Sequence, residues 1–344
     1  MLSINKSQSI YIDFIRGVSA QLVLIGHLYG FYFNNQNIII QNFGVVIFFI
    51  LSGHLVTLSA LRLLKDKYFN FKFFFIDRFS RIYAGLIPAL IICLLIDVFN
   101  VLISEPDQLL LNINNLNLQS FLASLFNLGG LPDPINIGSI IQPLGSMRPL
   151  WSVALEWWIY IFFGISLFLI RRKKHLGLSM ISLSIIITYI QFYLNMSHIA
   201  FFVVTAWILS SGLVLINTKI FNNYLILFLS FILLLFGFNN YVVIHFYEPL
   251  IMLSLIGIYF SCFEILKDIN YSKKFIFLSK KISSFSYSLY LIHYTLIVFL
   301  KPLLDTQSII EMIIIYIICN IFAYYFYKTF EVKYYNIRNF LKEK

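Results

Sequence analysis

Long apolar runs alternate with short polar or basic segments along almost the whole chain of 344 residues. The runs fall near residues 10–33, 38–61, 82–102, 149–170, 176–194, 199–216, 223–237, 242–263, 285–301 and 308–328. An α-helix needs about 20 residues to cross the hydrocarbon of a bilayer. The pattern therefore predicts an all-α membrane protein: a polytopic bundle of about ten transmembrane helices forming one domain over residues 1–344. The stretch from 103 to 148 breaks the rhythm. It is rich in Asn, Pro and Gly, carries Glu105, Asp107 and Asp133, and reads as a long loop capping an outer vestibule. The first run follows Lys6, contains Asp13 and Arg16 and lacks a small-residue cleavage site, so it is expected to be a retained helix and not a signal peptide. No repeat of 20–50 residues is visible.

Composition sharpens this reading. Only 12% of the residues are charged and 60% are hydrophobic, against about a quarter charged in soluble domains, so the apolar excess faces lipid. A formal charge of +10 would suggest a nucleic-acid partner in a soluble protein, but here the charges sit between the runs. With the N-terminus in the cytoplasm, the inner segments hold Lys6, Arg16, the stretch Arg62 to Arg81, Arg171 to Lys174, Lys219, Lys267 to Lys281 and the tail from Lys328. Of 25 basic residues only Arg148 and Lys301 fall outside. That bias sets an even number of spans with both termini cytoplasmic, and it makes membrane lipid, not nucleic acid, the partner of the basic balance. The three cysteines, Cys93, Cys262 and Cys319, have no metal-like spacing and no even count for a disulfide framework. No metal site is expected.

Ionisable groups at lipid depth are expensive and by default face the bundle interior and serve a site. In the first span Arg16 and His27 are eleven residues apart. Steps of about 100° bring them within roughly 20° on one face, about 16 Å apart along the axis. The bland alternative is a snorkelling Arg with a hydrogen-bonded core His. Glu156 lies about 9 Å in from the outer edge of its span, at the estimated depth of His27, and the two make an acid/base pair in outline. Glu248 and Asp97 lie at similar depth and rank lower, since either could be interfacial. Arg78 and Arg81 are spaced so that one helical turn aims both guanidinium groups one way, which suits phosphate; setting topology against anionic lipid explains them equally well. His293 and Tyr290 share a face, where a packing network is the competing explanation. His54 is core as readily as site. His175, His198 and His245 lie near span ends and read as interfacial.

These segments, in this order, resemble the acyltransferase 3 family of ten-helix membrane acyltransferases. The matching pieces are Arg16-Gly17 with His27 as R-x10-H, Phe48 to Gly53 as FFILSG, Arg78-x-x-Arg81, Trp151-Ser152 through Glu156, and SYSLYLIH ending at His293. The resemblance implies transfer of an acyl group, most often acetyl from acetyl-CoA, to a sugar of a surface glycan or its lipid-linked precursor. It implies His27 as the catalytic His, Arg16 as its partner in the motif, and Arg78 and Arg81 as contacts to the coenzyme phosphates. Trp151, Tyr290 and His293 become candidate substrate contacts. Two departures bear on the acceptor: Trp157 and Trp158 follow WSVALE, and His54 follows LSG where the family usually has Phe or Tyr. Some members add an extracellular SGNH hydrolase-like domain; the chain ends 16 residues past the tenth span, so a stand-alone membrane type is expected.

The residues and the resemblance together outline a mechanism in which cytoplasmic acyl-CoA docks on basic residues, its thioester meets His27, and an acceptor hydroxyl is deprotonated by His27 as general base. Glu156 would orient the His or the sugar. Direct transfer is the expectation, with an acyl-His intermediate as the alternative. Arg16 either holds the coenzyme or pairs with Asp13. Capsule, O-antigen and exopolysaccharide fit equally as acceptors, a succinyl donor fits as well as acetyl, and a bacterial cytoplasmic membrane is the expected location. The rival classes are a transporter or flippase for a glycolipid or small solute, although no inverted repeat is visible, and a scaffold of a polysaccharide assembly complex.

Overall fold

The computed structural model describes residues 4–33, 40–65, 71–103, 115–131, 133, 139–171, 198–216, 218–241, 248–304 and 308–343. Twelve α-helices occur among them, in chain order α1 Lys6–Phe33, α2 Ile40–Lys65, α3 Phe71–Ile103, α4 Leu118–Leu125, α5 Leu150–Arg171, α6 His198–Ile216, α7 Tyr224–Tyr241, α8 Glu248–Ile265, α9 Lys273–Ser284, α10 Ser286–Leu304, α11 Ile309–Thr329 and α12 Tyr334–Glu343. There is no strand among the described residues. Eight helices (α1, α2, α3, α5, α6, α8, α10 and α11) are long and apolar enough to cross a membrane. The apolar part of α7, Tyr224–Gly237, is shorter, and the run expected at 176–194 lies outside the described residues. The chain is an all-α, multi-pass membrane protein.

Local chemistry sets where several helices begin. Asn5 and Gln8 close a reciprocal capping box at the start of α1: the Asn5 side chain accepts from the Gln8 amide at 2.8 Å and the Gln8 side chain accepts from the Asn5 amide at 3.1 Å. Side chains of Asn117, Ser272 and Ser308 accept from Ser120, Phe275 and Glu311 backbone N–H groups and cap α4, α9 and α11. The third span begins well before the expected residue 82. The segment Phe71 to Arg81 reads as charged and loop-like, yet it continues α3 without a break because Phe74 and Ile76 are buried and Asp77, Arg78 and Arg81 all find partners.

The chain forms two compact units, residues 1–67 with 198–286, and residues 68–197 with 287–344. In the first, α2 packs on both α1 and α6, α8 packs on α7, and α9 packs on α1. Small residues let these helices touch, the usual device where lipid offers no hydrophobic drive between apolar surfaces. A Cβ on Gly53 would stand 2.4 Å from the Trp207 carbonyl oxygen of α6, and one on Gly17 would stand 2.3 Å from Ile282 of α9. Hydrogen bonds from Trp207 Nε1 to Ser52 Oγ (3.1 Å) and from Ser210 Oγ to the Ile50 carbonyl (2.7 Å) complete the α2–α6 seam.

In the second unit α3 is the central element, contacting α4, α5 and α12. Its exposed Ile87, Ile91, Leu95, Val98 and Leu102 recur every three or four residues, while Ile82, Leu86, Ala89, Cys93 and Asp97 fill the opposite, buried face. One stripe meets lipid and the other meets protein. Part of the loop expected at 103–148 is a strap over residues 139–149 that is tied to α3: Asp97, 1% exposed, accepts from Ser146 N at 2.8 Å and from Ser146 Oγ at 3.0 Å. Ser146 Oγ also bonds Thr295 Oγ1 of α10 at 2.6 Å. Gly145 takes a φ of +50°, and a Cβ there would lie 2.2 Å from the Asp97 carboxylate, so only glycine lets the strap close on this acid. Asp97 is thus a buried anchor and not an interfacial residue.

Candidate active site

Arg16 and His27 belong to the first unit, where α1 carries both on one continuous helix and leaves both half-buried. Arg16 meets Asp13, three residues earlier, at 3.7 Å, the pairing the spacing suggested. Asp13 also accepts from Ser283 Oγ of α9 at 3.2 Å, and Gly17 is what allows α9 to lie this close. His27 follows Gly26, which receives Gln41 of α2. A Cβ at position 26 would lie 2.3 Å from the Gln41 backbone nitrogen and 2.7 Å from its side-chain oxygen. That oxygen is buried without a hydrogen-bond partner, and nothing in the sequence singled out Gln41.

His54 resolves as a buried member of the core. It is 1% exposed, its Nδ1 lies 2.7 Å from the Tyr259 hydroxyl, and Phe260 and Phe263 flank it with ring centroids at 5.2 and 4.6 Å. Tyr259 lies within electrostatic range of Arg16. Glu248 and His198 are placed at the first residues of α8 and α6; His175 and His245 lie outside the described residues.

The other candidates come together in the second unit. Arg78 lies over two rings, Phe74 of its own helix and Tyr160 of α5, each 5.4 Å from the guanidinium carbon. The Tyr160 hydroxyl in turn donates to Glu156, one turn earlier on α5. Close by, Ser152 Oγ and the Tyr290 hydroxyl approach to 2.5 Å, and both reach the Pro149 carbonyl, at 3.3 and 3.2 Å. Tyr290 lies within electrostatic range of Glu156, and Tyr287 within range of Glu331, Glu156, Arg81 and Tyr160. Three of the segments singled out in the sequence, Arg78-x-x-Arg81, WSVALE and SYSLYLIH, thus converge on one polar cluster.

Within that cluster the two arginines have separate surroundings. Arg81 pairs with Glu331 at 3.4 Å and lies 5.2 Å over the Tyr334 ring. Residues three apart on a helix differ by about 60° in direction, and a buried acid on one side takes Arg81 while the rings on the other take Arg78. His293 is 1% exposed, and its Nδ1 stands 3.0 and 2.9 Å from the carbonyls of Leu289 and Tyr290. Carbonyls only accept, so the proton sits on Nδ1. Trp151 is half-buried against Gly130. Of the two tryptophans that depart from the family pattern, Trp157 packs edge-on against Phe75, Phe79 and Tyr83, and Trp158 donates to the Asn127 carbonyl at 2.9 Å. Both serve packing.

Tyr160 and Glu331 in the second unit, and Gln41 in the first, are the neighbours of candidate residues that sequence reasoning missed. Tyr160 had a usable signal, its i+4 spacing from Glu156. Among the described residues no three His, Cys, Asp or Glu side chains gather closely enough to hold a metal ion. The arrangement offers hydroxyls, a carboxylate and a guanidinium on neighbouring helices, the equipment for binding a polar substrate and moving protons. Neither a curated protein nor a solved structure gives a match to the chain. The model of the acyltransferase 3 family, described as an acyltransferase domain, matches residues 9–328 and so takes in every candidate residue from Arg16 to His293; the chain belongs to that family and is a multi-pass membrane acyltransferase.

Proposed function

We propose that the protein moves an acyl group, acetyl in the first instance, from cytoplasmic acyl-CoA to a hydroxyl of a surface glycan or its lipid-linked precursor, in a bacterial cytoplasmic membrane. The observation that carries the reading is the family match over residues 9–328, because it runs through a set of intramembrane ionisable groups that a bundle without a polar substrate has no reason to keep. It favours this reading over the transporter and scaffold readings.

In this reading His27 Nε2 or Nδ1 takes the proton of the acceptor hydroxyl as the oxygen attacks the thioester carbonyl. A new C–O bond forms, the C–S bond breaks, and the coenzyme thiolate leaves with the proton returned by the imidazolium. The thioester is already activated, so no acyl-enzyme is required. Arg16 contacts the donor, with Asp13 and Ser283 fixing its direction. In the second unit Glu156, held by Tyr160, offers a carboxylate that accepts from a sugar hydroxyl, and Trp151, Tyr290 and His293 are the further candidate substrate contacts.

Two measurements test it. Purified protein with acetyl-CoA and cell-envelope glycan should release free coenzyme thiol, and His27→Ala should cut that rate by about 10²–10⁴-fold, the usual weight of a general base, at unchanged membrane abundance. In cells, O-acetyl on the surface polysaccharide should vanish with the gene and with His27→Ala alike. Full acetylation by the variant would remove His27 from the mechanism.

A further inference from the structure

The Arg78-x-x-Arg81 turn is held by the far end of the chain. The segment after α11, residues 331–343, lies beyond the family match and folds back on α3. Glu331 is 0% exposed; one of its carboxylate oxygens accepts from Ser288 N (3.2 Å) and Ser288 Oγ (2.6 Å), and the other faces Arg81. Tyr334 lies under the Arg81 guanidinium. One turn earlier on α3, Asp77 takes both Arg338 Nε at 2.6 Å and Lys342 Nζ at 2.7 Å. Asp77 and Arg81 are four residues apart and share a face, and the tail occupies that face with four side chains. Arg78 lies about 100° around the helix from Asp77. It is half-buried, its Nε has no hydrogen-bond partner, and its neighbours are the rings of Phe74 and Tyr160.

A phosphate that recruited Arg81 would have to strip it from Glu331 and leave a sealed carboxylate without its counter-charge, which is the most expensive way to use an ion pair. Nothing comparable restrains Arg78. Resting on the reading of this turn as the donor site, we infer that the two arginines have different tasks: Arg78 receives the phosphates of the acyl-CoA donor, and Arg81 is a positioning residue that Glu331 and Tyr334 lock in place. The segment 331–343 is the clamp that aims the turn.

The test uses the full-length protein with two donors, acetyl-CoA and S-acetylpantetheine, which lacks the nucleotide phosphates. Arg78→Ala should raise the KM for acetyl-CoA about tenfold or more, the weight of one charge-assisted hydrogen bond, and leave the KM for S-acetylpantetheine unchanged. Arg81→Ala and Glu331→Gln should raise the acetyl-CoA KM by less, and the swap Arg81→Glu with Glu331→Arg should bring it back toward the native value. A swap that stays folded yet binds acetyl-CoA as poorly as Arg78→Ala would overturn the inference, because with the ion pair restored and the acid at 81 held by the arginine placed at 331, a loss of that size requires that Arg81 itself bind the phosphates. Should the swap not fold, Glu331→Gln decides: an acetyl-CoA KM equal to native removes the clamp. If Arg78→Ala itself leaves that KM unmoved while turnover continues, the donor reading falls, an outcome distinct from failure of the clamp alone.

Discussion

Tyr160 does two things at once. Its ring supports the Arg78 guanidinium and its hydroxyl donates to Glu156, so Tyr160→Phe separates the two by keeping the ring and deleting the bond. A hydrogen bond to a charged group contributes about 1.5–3 kcal/mol, and losing it frees the carboxylate to rotate. The expected result is a fall in acyl transfer of about tenfold or more with native membrane abundance and an unchanged KM for acetyl-CoA, read from thiol release normalised to protein. A KM shift in the donor instead would assign the tyrosine to Arg78 and not to Glu156. At this scale the sequence shows what lies within one helical turn: the Arg16–Asp13 pair and the Tyr290–His293 neighbourhood follow from spacing alone. It does not show Ser152 meeting Tyr290 across 138 residues, or Glu331 capturing Arg81, because a side chain's partner on another helix is set by how the helices pack.

Helices α2 and α3 show how an element's sequence is shaped by its neighbour. Gly53 in FFILSG is a contact surface: with a Cβ only 2.4 Å from the Trp207 carbonyl, Gly53→Ala forces α2 and α6 apart. Overpacking of this kind costs about 1–3 kcal/mol, so the variant should lose thermal stability in detergent and accumulate less in membranes, and any loss of activity should track that loss of folded protein. Asp97 gives the complementary case. Asp97→Asn keeps an acceptor for Ser146 and should fold, whereas Asp97→Ala leaves the Ser146 N–H without its acceptor beside a void and should be destabilised by about 1–3 kcal/mol. Equal melting temperatures for the two would show that the strap does not hang on this acid. Hydropathy made the apolar length of α3 legible but not its true start at Phe71, since a residue such as Asp77 scores as loop until the distant Arg338 and Lys342 are known to neutralise it. The strap was illegible for the same reason: a Gly-Ser pair says nothing until an acid is placed opposite.

For the whole molecule, the distribution of charge carries a claim about orientation that the helices themselves do not. Two arginine- or lysine-bearing positions make it testable. Arg148, on the strap before α5, is one of the two basic residues expected outside, and Lys280 on α9 belongs to the basic group expected inside; both side chains are exposed. The two positions therefore belong on opposite faces of the membrane if the bias of basic residues sets topology. The natural thiols do not obscure the reading once Cys262 is replaced by serine, because Cys93 and Cys319 are buried. In intact cells a membrane-impermeant maleimide should label Arg148→Cys and not Lys280→Cys, and permeabilisation should expose the second. The reversed pattern would place the basic end of α3 outside, away from any cytoplasmic pool of acyl-CoA, and would force the donor either to cross the bilayer first or to be something other than a coenzyme thioester. Orientation is thus the property on which the side of donor entry depends, and through it the direction in which the acyl group travels.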